Sequence, residues 1–238
     1  MKPDRFFYTA AGAIFLVLTV VGFQRYIFAG KHFNGSPIAP SMLATVVAHS
    51  SAIFAWFVLF FVQSLLVSTQ NRRLHMKLGW GVLVIALTIA VTGPLVAFRS
   101  VRTDPSVAIF DWPGPQFLLI MYTEIALFVA FVTIGVLNRK HPRVHRPMML
   151  LACLSILSGA TGRIPLVGSI FGYHKWVAMF GPVVTLGVLL QLVRLAMTRR
   201  FERDFASGLA ALVVVTAVAA WLSVTNLWVD WAETILKP

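Results

Sequence analysis

The stretch Ser41-Met-Leu-Ala-Thr-Val-Val-Ala-His-Ser-Ser-Ala-Ile-Phe-Ala-Trp-Phe-Val-Leu-Phe-Phe-Val-Gln-Ser-Leu-Leu-Val67 contains no Asp, Glu, Lys or Arg. Arg72-Arg73-Leu74-His75-Met76-Lys77 follows it, and then a second uncharged run from Leu78 to Phe98. A hydrocarbon layer about 30 Å thick needs roughly 20 apolar residues in helix, because each residue rises about 1.5 Å. Both runs meet that length, and the basic segment between them reads as a short turn in water.

Five further runs are of similar length and apolarity, each with a single charged residue, so the spans are expected at about Phe6 to Phe28, Ser41 to Val67, Leu78 to Phe98, Phe117 to Leu137, Met148 to Phe171, Trp176 to Met197 and Phe205 to Trp231. The expected fold is all-α, a single polytopic membrane bundle of about seven transmembrane helices. Composition agrees: 58% of the 238 residues are hydrophobic, against roughly 45–50% in soluble domains. The mean hydropathy is +0.83. The first run is too long for a signal-peptide core and ends in Gln24-Arg25-Tyr26 instead of small residues, so it reads as a retained span.

The net charge of +12 could suggest nucleic acid, but the cations sit between apolar spans and form no continuous basic face. They read as topology signals. Lys2 and Arg5, Arg72, Arg73 and Lys77, Arg139, Lys140, Arg143 and Arg146, and Arg199, Arg200 and Arg203 fall on one set of connections. Cytoplasmic loops retain such residues, which predicts a cytoplasmic amino terminus and a periplasmic carboxyl terminus. The other connections hold Gly35-Ser36-Pro37 and Asp111-Trp112-Pro113-Gly114-Pro115, with Trp112, Trp176, Trp228 and Trp231 near the outer interface. Cys153 is the sole cysteine, so no internal disulfide can form.

A short repeat joins the second and third spans to the fourth and fifth. Arg73-Leu74-His75-Met76-Lys77-Leu78 and Arg143-Val144-His145-Arg146-Pro147-Met148 each open an outward-running helix after a hairpin of similar size. Imidazoles on two facing helices are the usual axial ligands of a b-type haem, and nearby cations suit its propionates. The competing reading is that cationic and amphipathic residues gather there for topology and for phospholipid headgroups.

Ionisable groups deep in a span are costly and are functional candidates by default. His49, Glu124 and Arg163 fall at a common depth, about 10 to 12 Å below the outer surface at 1.5 Å per residue. They form an expected polar cluster, either a structural clamp between helices or the lining of a cavity. A helix length separates His49 from His75, so one metal cannot bind both. His174 or His32 is the expected outer partner if His49 ligates a second haem. His141 and His145 are four apart, but the intervening Pro142 argues against a metal-binding turn.

No Gly-rich phosphate loop, Gly-x-Ser-x-Gly elbow or His-Glu-x-x-His helix occurs. Glu124 is the only acidic residue deep inside an apolar run, which disfavours a carboxylate-bridged di-iron site. No metal is expected beyond haem iron.

His49 to Ser64, Arg72-Arg73-Leu74-His75-Met76-Lys77-Leu78-Gly79, His145-Arg146-Pro147-Met148-Met149-Leu150 and Gly162-Arg163-Ile164-Pro165 follow one another in an order that resembles the uncharacterised bacterial multi-pass membrane proteins grouped as domain of unknown function 2306, and close seven-span relatives of them. The resemblance covers roughly residues 45 to 165. It implies a helix-borne histidine at His49, an Arg-x-His-x-x-x-Gly helix entry at His75, a His-Arg-x-x-Met entry at His145 and a far-end arginine at Arg163. Pro147 departs from an aromatic in that pattern, and a first helical turn tolerates it. The resemblance implies no activity. Its histidines are similar in pattern to those of haem-bearing membrane cytochromes b.

The expected function is a redox module of the bacterial inner membrane that holds haem b or contacts a quinone through His75 and His145, with His49 and His174 as further cofactor-binding candidates. The alternatives are a protein handling a small solute, protons or lipid through His49, Glu124 and Arg163, and an assembly or structural subunit of a respiratory or envelope complex. The expected partners are the lipid bilayer and such a complex, not nucleic acid.

Overall fold

In the computed structural model, residues 6–31, 38–104, 108–109, 111–172 and 174–236 are described. Lys2, Arg5, His32 and the segment Gly35-Ser36-Pro37 lie outside them. The described helices, in chain order, are α1 (Phe7–Gly22), α2 (Gln24–Ala29), α3 (Pro40–Ser68), α4 (Arg72–Thr103), α5 (Gly114–Leu137), α6 (Pro142–Ser155), α7 (Ser158–Thr161), α8 (Pro165–Phe171), α9 (Lys175–Thr198), α10 (Arg203–Ser223) and α11 (Asn226–Leu236). A two-residue antiparallel ladder pairs β1 (Ala108–Ile109) with β2 (Trp112–Pro113) before α5.

Six helical segments are long and apolar enough to cross a membrane: α3, α4, α5, α6 with α7 (Pro142–Thr161), α9 and α10. The first apolar run is divided at Phe23 into α1, of 16 residues, and the six-residue α2. The fifth run bends after Thr161 and restarts at Pro165, whose ring leaves no N–H to continue a ladder. The seventh run stops at Ser223 rather than Trp231. Asn226 opens α11, which carries Asp230 and Glu233 among Trp and Leu residues and therefore has a polar face unsuited to a lipid core.

Local chemistry starts several helices. Asn71 Oδ1 accepts from the Leu74 N–H at 3.3 Å to cap α4. Proline stands in the first turn of α3, α5, α6 and α8, where its missing N–H costs nothing. Gln70, at φ 65°, turns the chain between α3 and α4.

α3 packs on α4, α4 on α5, α5 on α6, and α10 on both α5 and α6. α1 covers α3 and α7. The α6–α7 segment is the most enclosed of the six spans, and α3 and α4 are the least. Its neighbours form the main core around Trp56, Phe57, Phe128, Leu151, Leu154 and Leu157.

The turns α3–α4, α5–α6 and α9–α10 lie at one end, with the clustered Arg and Lys residues. α1 starts at that end too: Thr9 Oγ1 donates to Ser68 Oγ at 3.3 Å, and Tyr8 Oη donates to Glu202 Oε2 at 3.4 Å. At the opposite end a smaller core gathers Trp112, Phe117, Ile120, Met179 and Phe180.

Candidate functional site

His75 is the fourth residue of α4 and His145 the fourth of α6, so the two repeated segments occupy equivalent places at the starts of two helices. Their rings lie 6.4 Å apart between centroids and nearly perpendicular, at 83°. Both are half-buried.

His145 Nδ1 is 2.8 Å from the Gly135 carbonyl oxygen. A carbonyl only accepts, so Nδ1 carries the proton and Nε2 keeps its lone pair. This is the arrangement in which a ligand histidine is commonly held. Gly135 suits this contact because a Cβ there would press on Met149 Sδ at 3.0 Å and Met148 Cβ at 3.3 Å. His75 is held through its backbone, whose carbonyl accepts from Gln63 Nε2 at 3.2 Å. Its Nδ1 is buried and has no hydrogen-bond partner among the described residues, and the same is true of Gln63 Oε1.

A polar network lies at the same end. Arg194 Nε donates to Glu202 Oε1 at 2.6 Å, and the guanidinium carbon stands 5.3 Å from the Phe7 ring centre and 5.5 Å from that of Tyr8. Gln191 Nε2 donates to the Glu202 carbonyl at 3.4 Å. Arg194 stands inside an apolar run and could have been singled out on that ground. Glu202, in a turn among Arg199, Arg200 and Arg203, carries no such signal.

The expected cluster of His49, Glu124 and Arg163 is joined in part. Glu124 is 4% exposed and accepts a hydrogen bond from Ser158 Oγ. Arg163 acts on it electrostatically, donates from Nη1 to the Gly159 carbonyl, and lies 4.9 Å from the centre of the Phe23 ring. Tyr26 also hydrogen-bonds the Arg163 side chain.

His49 is bonded elsewhere, with its Nδ1 3.0 Å from Thr92 Oγ1 on α4. That hydroxyl donates to the Thr88 carbonyl at 2.6 Å, so it accepts from His49. The absence of a side chain at Gly93 admits the His49 ring and Ile125 together.

His174 stands at the start of α9. Its Nδ1 accepts from the Trp176 N–H at 3.3 Å, which makes it the N-cap of α9. Among the described residues, no group of three or more His, Cys, Asp and Glu side chains is arranged to hold a metal ion. Cys153 is a buried free thiol. No family model, curated protein or solved structure matches the chain.

Proposed function

We propose that this chain is a seven-span protein of the bacterial inner membrane, amino terminus cytoplasmic and carboxyl terminus periplasmic, whose paired histidines His75 and His145 form a redox site for haem b or a quinone. The observation that carries this reading is the 6.4 Å separation of the two rings. Two imidazoles on opposite sides of one metal have centroids about 6 Å apart, given metal–nitrogen bonds of about 2.0 Å and about 1.1 Å from nitrogen to ring centre. His75 and His145 would hold the haem iron between their two rings.

The donor chemistry also suits the group. His145 would offer Nε2 because Gly135 holds its other nitrogen, and the unpartnered Nδ1 shows that the His75 ring is not fully engaged within the protein. Arg146, next to His145, and Arg73 and Lys77, on either side of His75, would place cations near carboxylates or quinone oxygens. Haem, when bound, supplies one-electron transfer; the chain's own part is to ligate, orient and exclude water.

The basic turns at the end shared with the start of α1 support the orientation. The count of seven takes α1 and α2 together as the first span, since both belong to one apolar run. Glu124 and Arg163 are held by Ser158, Gly159, Tyr26 and Phe23, which favours a packing clamp over a solute cavity at that level.

The test is the visible spectrum of detergent-purified protein from haem-replete cells. The haem reading expects a Soret band that is lost or shifted in His75→Ala and in His145→Ala. A colourless wild-type protein from which quinone is extracted would leave only the quinone form, and one carrying neither would overturn the proposal.

A further inference from the structure

At the end opposite the basic turns, a pocket of about 370 Å³ lies between the start of α9 and the last turns of α10. Trp112, Trp176 and Trp221 wall it, and the small side chains of Ala217 and Ala220 leave it open. Lys175, the first residue of α9, contributes the cation. Its Nζ stands 4.4 Å from the centre of the Trp112 ring and donates to Gln116 Oε1 at 3.1 Å. Both partners are neutral, and among the described residues no carboxylate is paired with Lys175.

Two further features favour an anion. The amino terminus of the 24-residue α9 opens here; His174 takes the Trp176 N–H, and the helix dipole still favours negative charge at this end. Trp112 is 1% exposed, and its indole N–H, like that of Trp176, has no hydrogen-bond partner among the described residues. A buried indole normally finds an acceptor. Aromatic walls alone would welcome a quaternary ammonium, but Lys175 repels one.

We propose that this pocket binds the phosphate of an anionic phospholipid, with Lys175 and the start of α9 on the phosphate and the tryptophans along the glycerol and upper acyl chain. An interface between water and lipid is where such an amphiphile is delivered and where indoles are stable. The inference rests on the membrane reading and is independent of haem or quinone at His75 and His145.

Native mass spectrometry of the detergent-purified protein, offered phosphatidylglycerol and phosphatidylcholine in equal amounts, tests it without any spectroscopic readout. Phosphatidylglycerol is expected to be retained selectively. Lys175→Gln should lower that retention about tenfold, the loss of one charge-assisted contact, and Lys175→Arg should restore it. Ala220→Phe, which fills the pocket and leaves every charge in place, should lower it as well. Equal retention of the two lipids, or full retention in both Lys175→Gln and Ala220→Phe, would overturn the proposal. Thermal unfolding with millimolar inorganic phosphate separates the sources: stabilisation by phosphate equal to that by phosphatidylglycerol would identify a soluble anion and reject the lipid.

Discussion

Gly22 and Ala160 touch backbone to backbone: a Cβ on Gly22 would lie 2.8 Å from Ala160 Cα and closer still to the Ala160 carbonyl. The contact seats α1 against α7 and brings Phe23 and Tyr26 onto Arg163. Backbone atoms cannot move aside as a side-chain tip can. Gly22→Ala should therefore push α1 away and destabilise the bundle by about 1–3 kcal/mol, as overpacking generally does. Gly81→Ala is the control, since nothing lies within 4 Å of that position. In an α4 interior it should be neutral or stabilising by up to about 1 kcal/mol. Thermal unfolding in one detergent compares the two, and equal losses would remove the close-contact explanation.

The ion pair of Arg194 and Glu202 links α9 to the turn before α10, with α1 aromatics over the guanidinium. The Arg194 side chain is 9% exposed and that of Glu202 22%, so the pair is shielded from water on the arginine side and partly wetted on the carboxylate side. Glu202→Leu and Arg194→Leu should each destabilise the bundle by about 1–3 kcal/mol, because each removes one side of a shielded, charge-assisted hydrogen bond. The double substitution should recover much of the loss. A double-mutant cycle on unfolding free energies reads the coupling, and strictly additive losses would show that the pair does not act as a unit.

Much of this architecture was legible from length alone, because an uncharged run of about 20 residues has few other uses. The breaks were less legible. Phe23 and Val224 stand beside short polar steps, Gln24-Arg25 and Thr225-Asn226, within runs that stay apolar on average, so mean hydropathy passes over breaks that those residues mark. The equivalence of His75 and His145 was visible as a repeated motif, and it was readable because both residues are tied to helix starts. Glu202 was not, since a carboxylate among three arginines in a turn looks solvated until the chain folds Tyr8 and Arg194 onto it. His49 and Glu124 share a depth in sequence, but depth says nothing of azimuth, and α5 presents Glu124 to Ser158 while His49 turns to Thr92.

Ser158→Ala should destabilise the protein by about 1–3 kcal/mol, because it leaves the buried Glu124 carboxyl without its hydroxyl donor. Ser158→Thr, which keeps the hydroxyl, should lose less unless its extra methyl overpacks the site. Adding Glu124→Leu to Ser158→Ala should then cost little more on the Ser158 side, since no carboxyl remains to be satisfied. Unfolding midpoints of the three variants decide this. A Ser158→Ala protein as stable as the parent would mean that Glu124 finds another donor, with Arg163 the nearest charged candidate.

The Gly135 carbonyl fixes which nitrogen of His145 faces the site, and that has a consequence separable from folding. In His145→Ala the lost ring leaves space next to Arg146 and opposite His75, and free imidazole is small enough to enter it. On the haem reading, imidazole added at millimolar concentration should restore the Soret position of His145→Ala towards that of the parent. The same addition should leave His49→Ala unchanged, because the His49 ring is bonded to Thr92 and belongs to a different level of the bundle. Gly135→Leu offers an independent probe: its side chain would collide with Met148 and Met149 and displace the carbonyl from His145 Nδ1. If that ring is a ligand, the displacement should shift the Soret band or the reduction potential while His75 remains in place. A spectrum indifferent to both imidazole and Gly135→Leu would assign His145 to packing and leave His75 without a partner across the site.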